Sequence, residues 1–409
     1  MSSIIARRRT ILPYVFISLL YIGMSVWVRC YRMGSDWQFF IDTFRIYFEG
    51  EPFSLYSIRA VDVVHEVGGH GIAYGPLFQW AMLPGFMICY LFRLPGVWVS
   101  ILPWLGFLVF DLLLASEIFR HVREPGKTDD KKALFCIVLF LSSWMLLFSS
   151  PYHGHFETMP VFFLLVGLRL QKKERDVWAG VLFGLALLSK HTVVVALIAH
   201  WSVLAFNAKL RRLLNTVVTA ALVFLGVMLP YIISDPQGVF EMFIKLQKTR
   251  LIAYQSVWHI LPEGSGLRAV VSSFVEPVSL LAIITFSCIF ALQKRIAIGS
   301  DSNYGLMALA AVIVACTQKW GSLHYYLLAF VLMLVWEARK FRFPWAAALF
   351  ASVLSNIFVL WVSRETQMPF SPASSCIMLF LFVGTIIYIG TSLGSRVGKQ
   401  ARVDSSEKS

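Results

Sequence analysis

Charged residues are scarce in this chain: aspartate, glutamate, lysine and arginine make up only 14% of its 409 residues. Hydrophobic residues make up 58%, and the mean hydropathy is +0.70. Soluble globular domains carry about 25% charged residues. The composition therefore excludes a water-soluble globular protein and indicates an integral membrane protein.

Several signals of other protein classes are also missing. The six cysteines have no paired or metal-like spacing, so they predict small residues of an apolar core and leave the redox compartment open. The chain contains no Asn-x-Ser/Thr sequon, no internal repeat and no Gly-rich phosphate loop. A nucleic-acid partner is not expected despite the net charge of +13, because lysine and arginine lie mainly in short segments between apolar runs.

Apolar runs fill the chain and predict an all-α polytopic membrane protein with about 11–12 transmembrane helices. The first run follows Arg7-Arg8-Arg9 and precedes no small-residue cleavage site, which indicates a signal anchor rather than a cleaved signal peptide. Several runs are shorter than the roughly 20 residues of a straight span, and a short helix can end in a cavity. The candidate spans lie near residues 11–29, 98–118, 133–149, 159–170, 178–189, 191–206, 214–233, 271–292, 303–317, 323–337, 344–362 and 374–393.

The stretch 77–94 is also apolar, and the predicted orientation depends on it. If it crossed the membrane, the basic loop 119–132 would face outward, against the positive-inside rule. We therefore predict a non-crossing or re-entrant helix that starts at Pro76 and is kinked at Pro84. Both termini and the basic loops are then cytoplasmic.

Residues 1–395 are expected to form a single transmembrane domain, followed by a disordered, basic cytoplasmic tail at 396–409. Two long extracytoplasmic loops result from this orientation. The first, 31–76, contains six acidic residues and is expected to carry juxtamembrane helices, and the second is 234–270. Long loops in compact proteins are usually functional or disordered, and the aromatic residues of the first loop favour an ordered surface.

Asp36 is the leading acidic candidate in the first loop. It can be a solvated loop residue, the cap of a juxtamembrane helix that starts near Trp37, or a catalytic carboxylate. Asp42 would lie on a different face of such a helix. We therefore treat Asp42 only as a secondary acid, and the two carboxylates need not form a pair.

The segment His153–Glu157 (HGHFE) lies where a predicted span opens outward. Its residues His153, His155 and Glu157 can anchor a helix end at the interface, bind a metal or a phosphate, or act as acid and base. Ionisable groups at membrane depth are costly and are usually functional. These three residues are therefore candidate ligands of a substrate.

Lys190 and His191 interrupt an otherwise apolar stretch from Trp178 to Phe206. A lysine at this position can extend to the interface from a helical hairpin, or it can serve as a point charge for a phosphate. Arg250 in the second loop and His324 at the start of a later span add potential cations on the same side. Together these residues favour an anionic, lipid-borne ligand.

The segment His65–His70 (HEVGGH) does not have the spacing of the metalloprotease helix, which requires a histidine four residues after His65, where this chain has Gly69. We therefore predict no metal site from this segment. The third alternative for the protein is a membrane metalloenzyme. Its metal site would lie in this loop and would also use the histidines of the segment His153–Glu157.

The order of these features resembles the GT-C superfamily of integral-membrane glycosyltransferases, which use polyprenyl-phosphate or dolichyl-phosphate sugars. Ser35-Asp36 is similar to the early acid of the first loop in that family, and Tyr74–Leu77 to the start of its amphipathic helix. The segment His153–Glu157 resembles the HGHFQ-type segment of endoplasmic-reticulum glucosyltransferases, and Glu157–Pro160 resembles the GQ-D-ALP-type segment of bacterial members. The stretch Gly184–Lys190 is similar to the family's G-L-A-…-K stretch. The chain departs from the glucosyltransferase pattern at Glu157, where an amide is expected.

The resemblance implies a GT-C-like helical bundle and an inverting hexose transfer, of mannose or glucose, with Asp36 as the general base. The departing polyprenyl phosphate would need fixed cations, for which Lys190, Arg250 and His324 are candidates. The partners implied are a lipid-linked sugar donor and a glycan or lipid-linked acceptor, besides the membrane lipids. The resemblance implies no cofactor and no divalent metal.

The main alternative is a multi-pass transporter or a lipid flippase. Such proteins often contain internal repeats and broken helices near the middle of the bilayer, whereas this chain has no evident repeat and its unusual residues cluster on the outer side. The resemblance predicts the endoplasmic reticulum membrane, with the bacterial plasma membrane as the alternative.

Overall fold

The apolar runs of the sequence fold into helices, because a backbone surrounded by lipid must satisfy its hydrogen bonds within its own segment. A computed structural model describes residues 2–31, 35–57, 74–123, 130–207, 209–241, 243, 256–262, 264–294, 296–318, 323–363 and 372–394. Every regular element in these ranges is a helix, and no strand occurs in them. Each of the predicted apolar runs coincides with one helix or with two or three consecutive helical elements. The predicted all-α class is therefore confirmed.

Contacts divide the chain into two compact units. The first unit comprises Met1–Val193 and Asn215–Arg250. Its helices are α1 (Ser2–Tyr31), α2 (Ser35–Asp42), α3 (Arg45–Phe48), α4 (Leu77–Leu91), α5 (Gly96–Ile101), α6 (Leu105–Val122), α7 (Asp130–Leu141), α8 (Trp144–Leu147), α9 (Thr158–Lys172), α10 (Asp176–Ser189), most of α12 (Leu210–Ser234) and α13 (Pro236–Phe240). Single turns of 3-10 helix lie at Leu55–Ser57 and His191–Val193, and a π-helical turn lies at Phe148–Tyr152.

The second unit comprises Val194–Leu214 and Leu251–Ser409. Its helices are α11 (Val194–Phe206), the first residues of α12, α14 (Gly266–Lys294), α15 (Asp301–Thr317), α16 (Leu327–Lys340), α17 (Trp345–Ser363) and α18 (Pro372–Gly394), with 3-10 turns at Val257–Ile260 and Leu323–Tyr326. Buried Glu337 of α16 accepts hydrogen bonds from the Ala347 backbone N–H (2.7 Å) and the Tyr388 hydroxyl (2.7 Å). This carboxylate therefore links α16, α17 and α18.

Five helical segments in the described residues are long and apolar enough to cross a membrane. They are Leu12–Cys30, Gly96–Val122, Leu210–Ser234, Gly266–Leu292 and Ala373–Leu393. The pair Asp130–Leu141 and Trp144–Tyr152, bent by 42°, would form a sixth span. The protein is therefore an all-α, multi-pass membrane protein. The remaining apolar helices have 10–17 residues, and the predicted total of eleven or twelve spans stays a prediction.

One face of α12 illustrates why a bilayer is required. Its exposed apolar side chains recur every three or four residues, so they lie on one face of the helix: Val218, Leu222, Leu225, Leu229 and Ile233. A continuous apolar face of this length is unfavourable in water, and the hydrocarbon region of a membrane covers it.

The helix α4 corresponds to the predicted non-crossing stretch 77–94. Pro76 is its N-cap, and Pro84 lies inside it, as expected. Its 15 residues span about 22 Å, which is shorter than the hydrocarbon core of roughly 30 Å. This length agrees with a helix that does not cross, although the orientation itself stays a prediction.

Glycines allow α4 to contact its neighbours through the backbone. A Cβ atom on Gly85 would lie 2.1 Å from the Leu102 carbonyl oxygen, and one on Gly106 would lie 2.0 Å from the Ala81 carbonyl oxygen. These distances are far below van der Waals contact, so a side chain at either position would push α4 away from α5 and α6. The position of α4 depends on both glycines.

We expect Gly106→Ala to lower the free energy of unfolding by about 1–3 kcal/mol, because the added methyl group overpacks a backbone contact. The matched control is Gly226→Ala in α12, where an added Cβ would meet no atom within 4 Å. That variant should be neutral or stabilised by up to about 1 kcal/mol through helix propensity. Thermal and denaturant unfolding of the purified protein in detergent micelles measures both changes. Equal stabilities of the two variants would contradict the close contact at Gly106.

Candidate functional site

The connection between α8 and α9 is an ordered irregular segment. Phe148–Tyr152 forms a π-helical turn, in which the His153 N–H donates to the Phe148 carbonyl at 3.1 Å. Pro151 has no N–H to donate in this turn, and Gly154 follows with φ of +72°, a conformation that favours glycine. Single π-helical turns are frequent at functional sites. The segment carries His155 and Glu157, and both side chains are buried.

Lys190 lies at the end of α10 and is completely buried. Its backbone is extended (φ −156°, ψ 127°), so the helix stops at Ser189. The Lys190 Nζ donates a hydrogen bond to Oε1 of Glu157 and forms an ion pair with it. The ammonium also lies 4.9 Å from the ring centroid of Tyr74. The Lys190 ammonium is therefore paired with a buried carboxylate and does not reach solvent.

Tyr74-Gly75-Pro76 lies against the end of α10. A Cβ atom on Gly75 would lie 1.9 Å from the Leu188 carbonyl oxygen, so only glycine permits this approach. The Tyr74 ring meets the Phe156 ring edge to face at 5.3 Å. The start of α4, the end of α10 and the segment His153–Glu157 are therefore in direct contact.

The helix α2 packs against the same segment. Trp37 and Phe40 are both buried and are three residues apart, so they share one face of the helix. The Phe40 ring lies 5.8 Å from the His155 ring and 6.0 Å from the Phe156 ring. A helix is thus present where the sequence predicts one, although it begins at Ser35 rather than near Trp37. Its juxtamembrane position stays a prediction.

Tyr56 holds the first loop to this site. Its hydroxyl donates to the Tyr74 carbonyl oxygen at 2.8 Å, and its ring lies 5.8 Å from the Tyr231 ring. Burial raises the pKa of Tyr56 well above its ordinary value, and the nearby Tyr231 raises it further. The phenol therefore stays protonated and keeps its role as a donor.

The other predicted residues have different environments. Asp42 is exposed at the end of α2, His153 is half-buried beside Phe148 and Tyr152, and His191 is half-buried in a 3-10 turn. In the second unit, His324 is buried, and its ring lies 4.3 Å from the Tyr325 ring.

Some predictions fall outside the residues that the structure describes. They are the side chain of Asp36, whose backbone belongs to α2, as well as Arg250, the segment His65–His70 and the tail 396–409. The role of each of these residues stays a prediction.

The sequence analysis does not predict two buried ionisable residues that contact the segment carrying His155 and Glu157. Arg29 and Asp111 lie inside apolar runs that were interpreted only as spans, and both contact the connection between α8 and α9. A charged residue inside a predicted span usually marks a functional site. That signal was present in the sequence and could have identified both residues.

We expect Lys190→Met to lower the free energy of unfolding by about 3–5 kcal/mol, because it leaves Glu157 buried without its cationic partner. The double variant Lys190→Met, Glu157→Gln should recover much of this loss, since no unpaired charge remains. Arg123→Met is the control: the Arg123–Asp130 ion pair (2.7 Å) is about half exposed, and such surface pairs contribute about 1 kcal/mol or less. Denaturant unfolding in micelles measures all three changes. A stability of Lys190→Met equal to that of the control would contradict the buried ion pair.

Comparison with protein-family models, with curated proteins and with solved structures finds no match for this chain. The chemistry assigned to the site therefore rests on its residue types and on the contacts among the four segments that form it.

Proposed function

We propose that this protein is an inverting glycosyltransferase of the GT-C type. It would move a hexose, mannose or glucose, from a polyprenyl-phosphate or dolichyl-phosphate donor to a glycan or lipid-linked acceptor on the extracytoplasmic or luminal face of the membrane. One observation carries the proposal: four segments that separately resemble GT-C motifs are in contact within the first unit. They are α2, the start of α4, the segment His153–Glu157 and the end of α10.

Asp36 is the proposed general base. The buried side chains of Trp37 and Phe40 hold its helix against the segment His153–Glu157, which fixes the backbone that carries the carboxylate. In the reaction, the acceptor hydroxyl oxygen forms a bond to the anomeric carbon and its proton passes to Asp36. The bond between the anomeric carbon and the phosphate oxygen breaks, and its electron pair stays on the phosphate. The base and the leaving group lie on opposite sides of the sugar, which gives inversion.

Lys190 is the proposed cation for the leaving phosphate. A fixed charge in a site without water stabilises developing negative charge more strongly than a solvated one. Arg250, His191 and His324 are further candidates for the phosphate, and His153, His155 and Glu157 for the hydroxyl groups of the donor or acceptor. The proposal requires no divalent metal, because amino-acid cations perform the electrostatic task.

The membrane setting is compatible with a lipid-borne donor. The described helices include at least five candidate spans, and the proposed protein has eleven or twelve, with both termini cytoplasmic. The endoplasmic reticulum membrane is the proposed location, with the bacterial plasma membrane as the alternative.

We expect Asp36→Asn to abolish sugar transfer, with a loss of at least about 10²–10⁴-fold, because the amide cannot accept the proton of the acceptor. The assay incubates the purified protein in lipid nanodiscs with labelled dolichyl-phosphate mannose or glucose and a set of lipid-linked and glycan acceptors. Asp42→Asn, measured in parallel, tests the secondary acid. Retained activity in excess chelator is expected.

The control for this experiment is Glu49→Gln, which removes an exposed acid of the same loop and should leave transfer unchanged. Transfer by Asp36→Asn at the wild-type rate would refute the catalytic base. Translocation of a labelled lipid by a wild-type protein that transfers no sugar would favour the transporter alternative.

Lys190→Met and Glu157→Gln should differ in their effect on transfer. Removal of the ammonium should lower kcat/KM for the donor by about 10²–10³-fold, as the loss of one transition-state donor does in other enzymes. Glu157→Gln restores the amide that the GT-C resemblance implies and leaves the Lys190 charge available. We therefore expect it to keep kcat/KM within about tenfold of wild type, which corresponds to about 1.4 kcal/mol. Equal losses in both variants would contradict the assigned role of Lys190.

A further inference from the structure

Asp111 lies in the middle of α6 and is completely buried. Its carboxylate accepts three hydrogen bonds, each of 2.6 Å, from the hydroxyl groups of Tyr21, Ser150 and Thr158. Both carboxylate oxygens are used: Tyr21 and Ser150 donate to Oδ2, and Thr158 donates to Oδ1. Hydrogen bonds to a carboxylate are stronger than those between neutral groups.

Two of these donors stand at the two ends of one segment, residues 150–158, which contains the segment His153–Glu157. Ser150 lies in the π-helical turn, and Thr158 is the first residue of α9. One side chain of α6 therefore ties both ends of the 150–158 segment. Ser150 is fixed further, because its Oγ accepts a hydrogen bond from the Trp104 indole at 3.3 Å.

Arg29 contacts the middle of the 150–158 segment. Its Nη1 donates to the Pro151 carbonyl oxygen at 2.9 Å, and its Nε donates to the Ser100 carbonyl oxygen of α5 at 3.2 Å. The guanidinium carbon also lies 3.7 Å from the centroid of the Trp37 ring. The same side chain thus touches α5, the 150–158 segment and α2.

Gly154 completes the contact between the 150–158 segment and α2. A Cβ atom at this position would lie 2.4 Å from the Trp37 ring and 3.0 Å from Nη2 of Arg29. The backbone of the segment therefore packs directly against the Trp37 side chain and the guanidinium. Trp37 immediately follows Asp36 in the chain. This contact therefore joins the helix of the proposed base to the segment that carries His155 and Glu157.

Glu117 is a second buried acid of α6, and its ion pairs lie away from the 150–158 segment. Glu117 pairs with Arg169 of α9 at 3.0 Å and with Arg120. This cluster joins α6 to α9, and Arg120 is about half exposed. Glu117 is bonded by charged partners, whereas Asp111 is bonded by three hydroxyl groups, two of them from the 150–158 segment. The different partners indicate different tasks.

We propose that Asp111 and Arg29 are positioning residues that clamp the 150–158 segment between α6 and α2. The clamp keeps the helix of Asp36 and the Glu157–Lys190 ion pair in a fixed geometry. Its catalytic consequence rests on the proposed function, whereas the clamp itself does not. Neither residue is proposed to touch the substrate.

Amide hydrogen exchange of the full-length protein in lipid nanodiscs tests the clamp without reference to activity. Within the 150–158 segment, the backbone N–H groups of Gly154 and His155 donate to the carbonyl oxygens of Ser150 and Ser149, each at 2.9 Å. Thr158→Val removes one hydrogen bond to Asp111 and should raise exchange in peptides that cover 148–158 by about tenfold, as expected for the loss of one buried hydrogen bond.

The control is Tyr388→Phe, which also removes one hydrogen bond from a hydroxyl group to a buried carboxylate, that of Glu337 (2.7 Å), but lies in the second unit. It should leave exchange in peptides 148–158 unchanged. Thr158→Ser keeps the hydroxyl group and should restore wild-type exchange. Exchange that is equal in Thr158→Val and Tyr388→Phe, or that Thr158→Ser fails to restore, would overturn the clamp.

Arg29→Lys gives the second readout. Lysine keeps the charge but lacks the planar fork that donates to three carbonyl groups and stacks on an indole. We expect faster exchange in peptides 148–158 and a fall in kcat of at least tenfold, with the KM for dolichyl-phosphate mannose or glucose changed less than threefold. An equal change in kcat and KM would overturn the positioning role. If the wild-type protein transfers no sugar, the proposed function fails. The exchange data then still show whether Asp111 and Arg29 hold the 150–158 segment in place.

Discussion

A lysine ammonium that is cut off from water must be neutralised where it lies, and the arrangement of the site follows from this constraint. Lys190 is completely buried, and burying an unpaired charge costs several kcal/mol, a large part of the stability of a protein. Glu157 supplies the counter-charge, and the electron-rich face of Tyr74 supplies a weaker attraction. Because Gly75 lets the Tyr74 backbone approach the end of α10, three distant parts of the sequence meet around one ammonium.

The same rule applies to backbone groups of the 150–158 segment. A π-helical turn that contains proline leaves carbonyl oxygens without regular helical partners, and lipid offers no water to satisfy them. The buried guanidinium of Arg29 donates to two of them, those of Pro151 and Tyr152. Burying the Arg29 guanidinium costs free energy, and so would burying these carbonyl oxygens without a hydrogen-bond donor. The hydrogen bonds between them offset both costs. Irregular backbone and buried charge therefore stabilise one another in this segment.

Hydropathy predicted the helices well, because lipid leaves a continuous apolar run little alternative to a helix. The helix of Asp36 and the break at Lys190 were also anticipated from local residue types. The partners of the buried groups were not, since hydropathy carries no information on pairing. Lys190 and Glu157 are 33 residues apart, Asp111 and Ser150 are 39 apart, and Arg29 and Pro151 are 122 apart. Gly75 and Gly154 gave no signal as packing residues, because a close approach becomes visible only when the neighbouring backbone is known.

The carboxylate of Glu157 has a consequence for donor binding under the proposed function. Two unit charges 4 Å apart interact by about 4 kcal/mol at an effective dielectric constant of 20, so a carboxylate beside the phosphate opposes binding about as strongly as the lysine favours it. The pair as it stands is neutral and attracts a phosphate weakly. Under the proposed function, we therefore expect the Glu157–Lys190 contact to open when the donor binds, with the phosphate replacing the carboxylate at the ammonium. The displaced carboxylate is then an acceptor for a sugar hydroxyl. An amide at this position would form no ion pair with Lys190, so no ion pair would have to break when the phosphate binds. Glu157 therefore links occupancy of the phosphate site to recognition of the sugar.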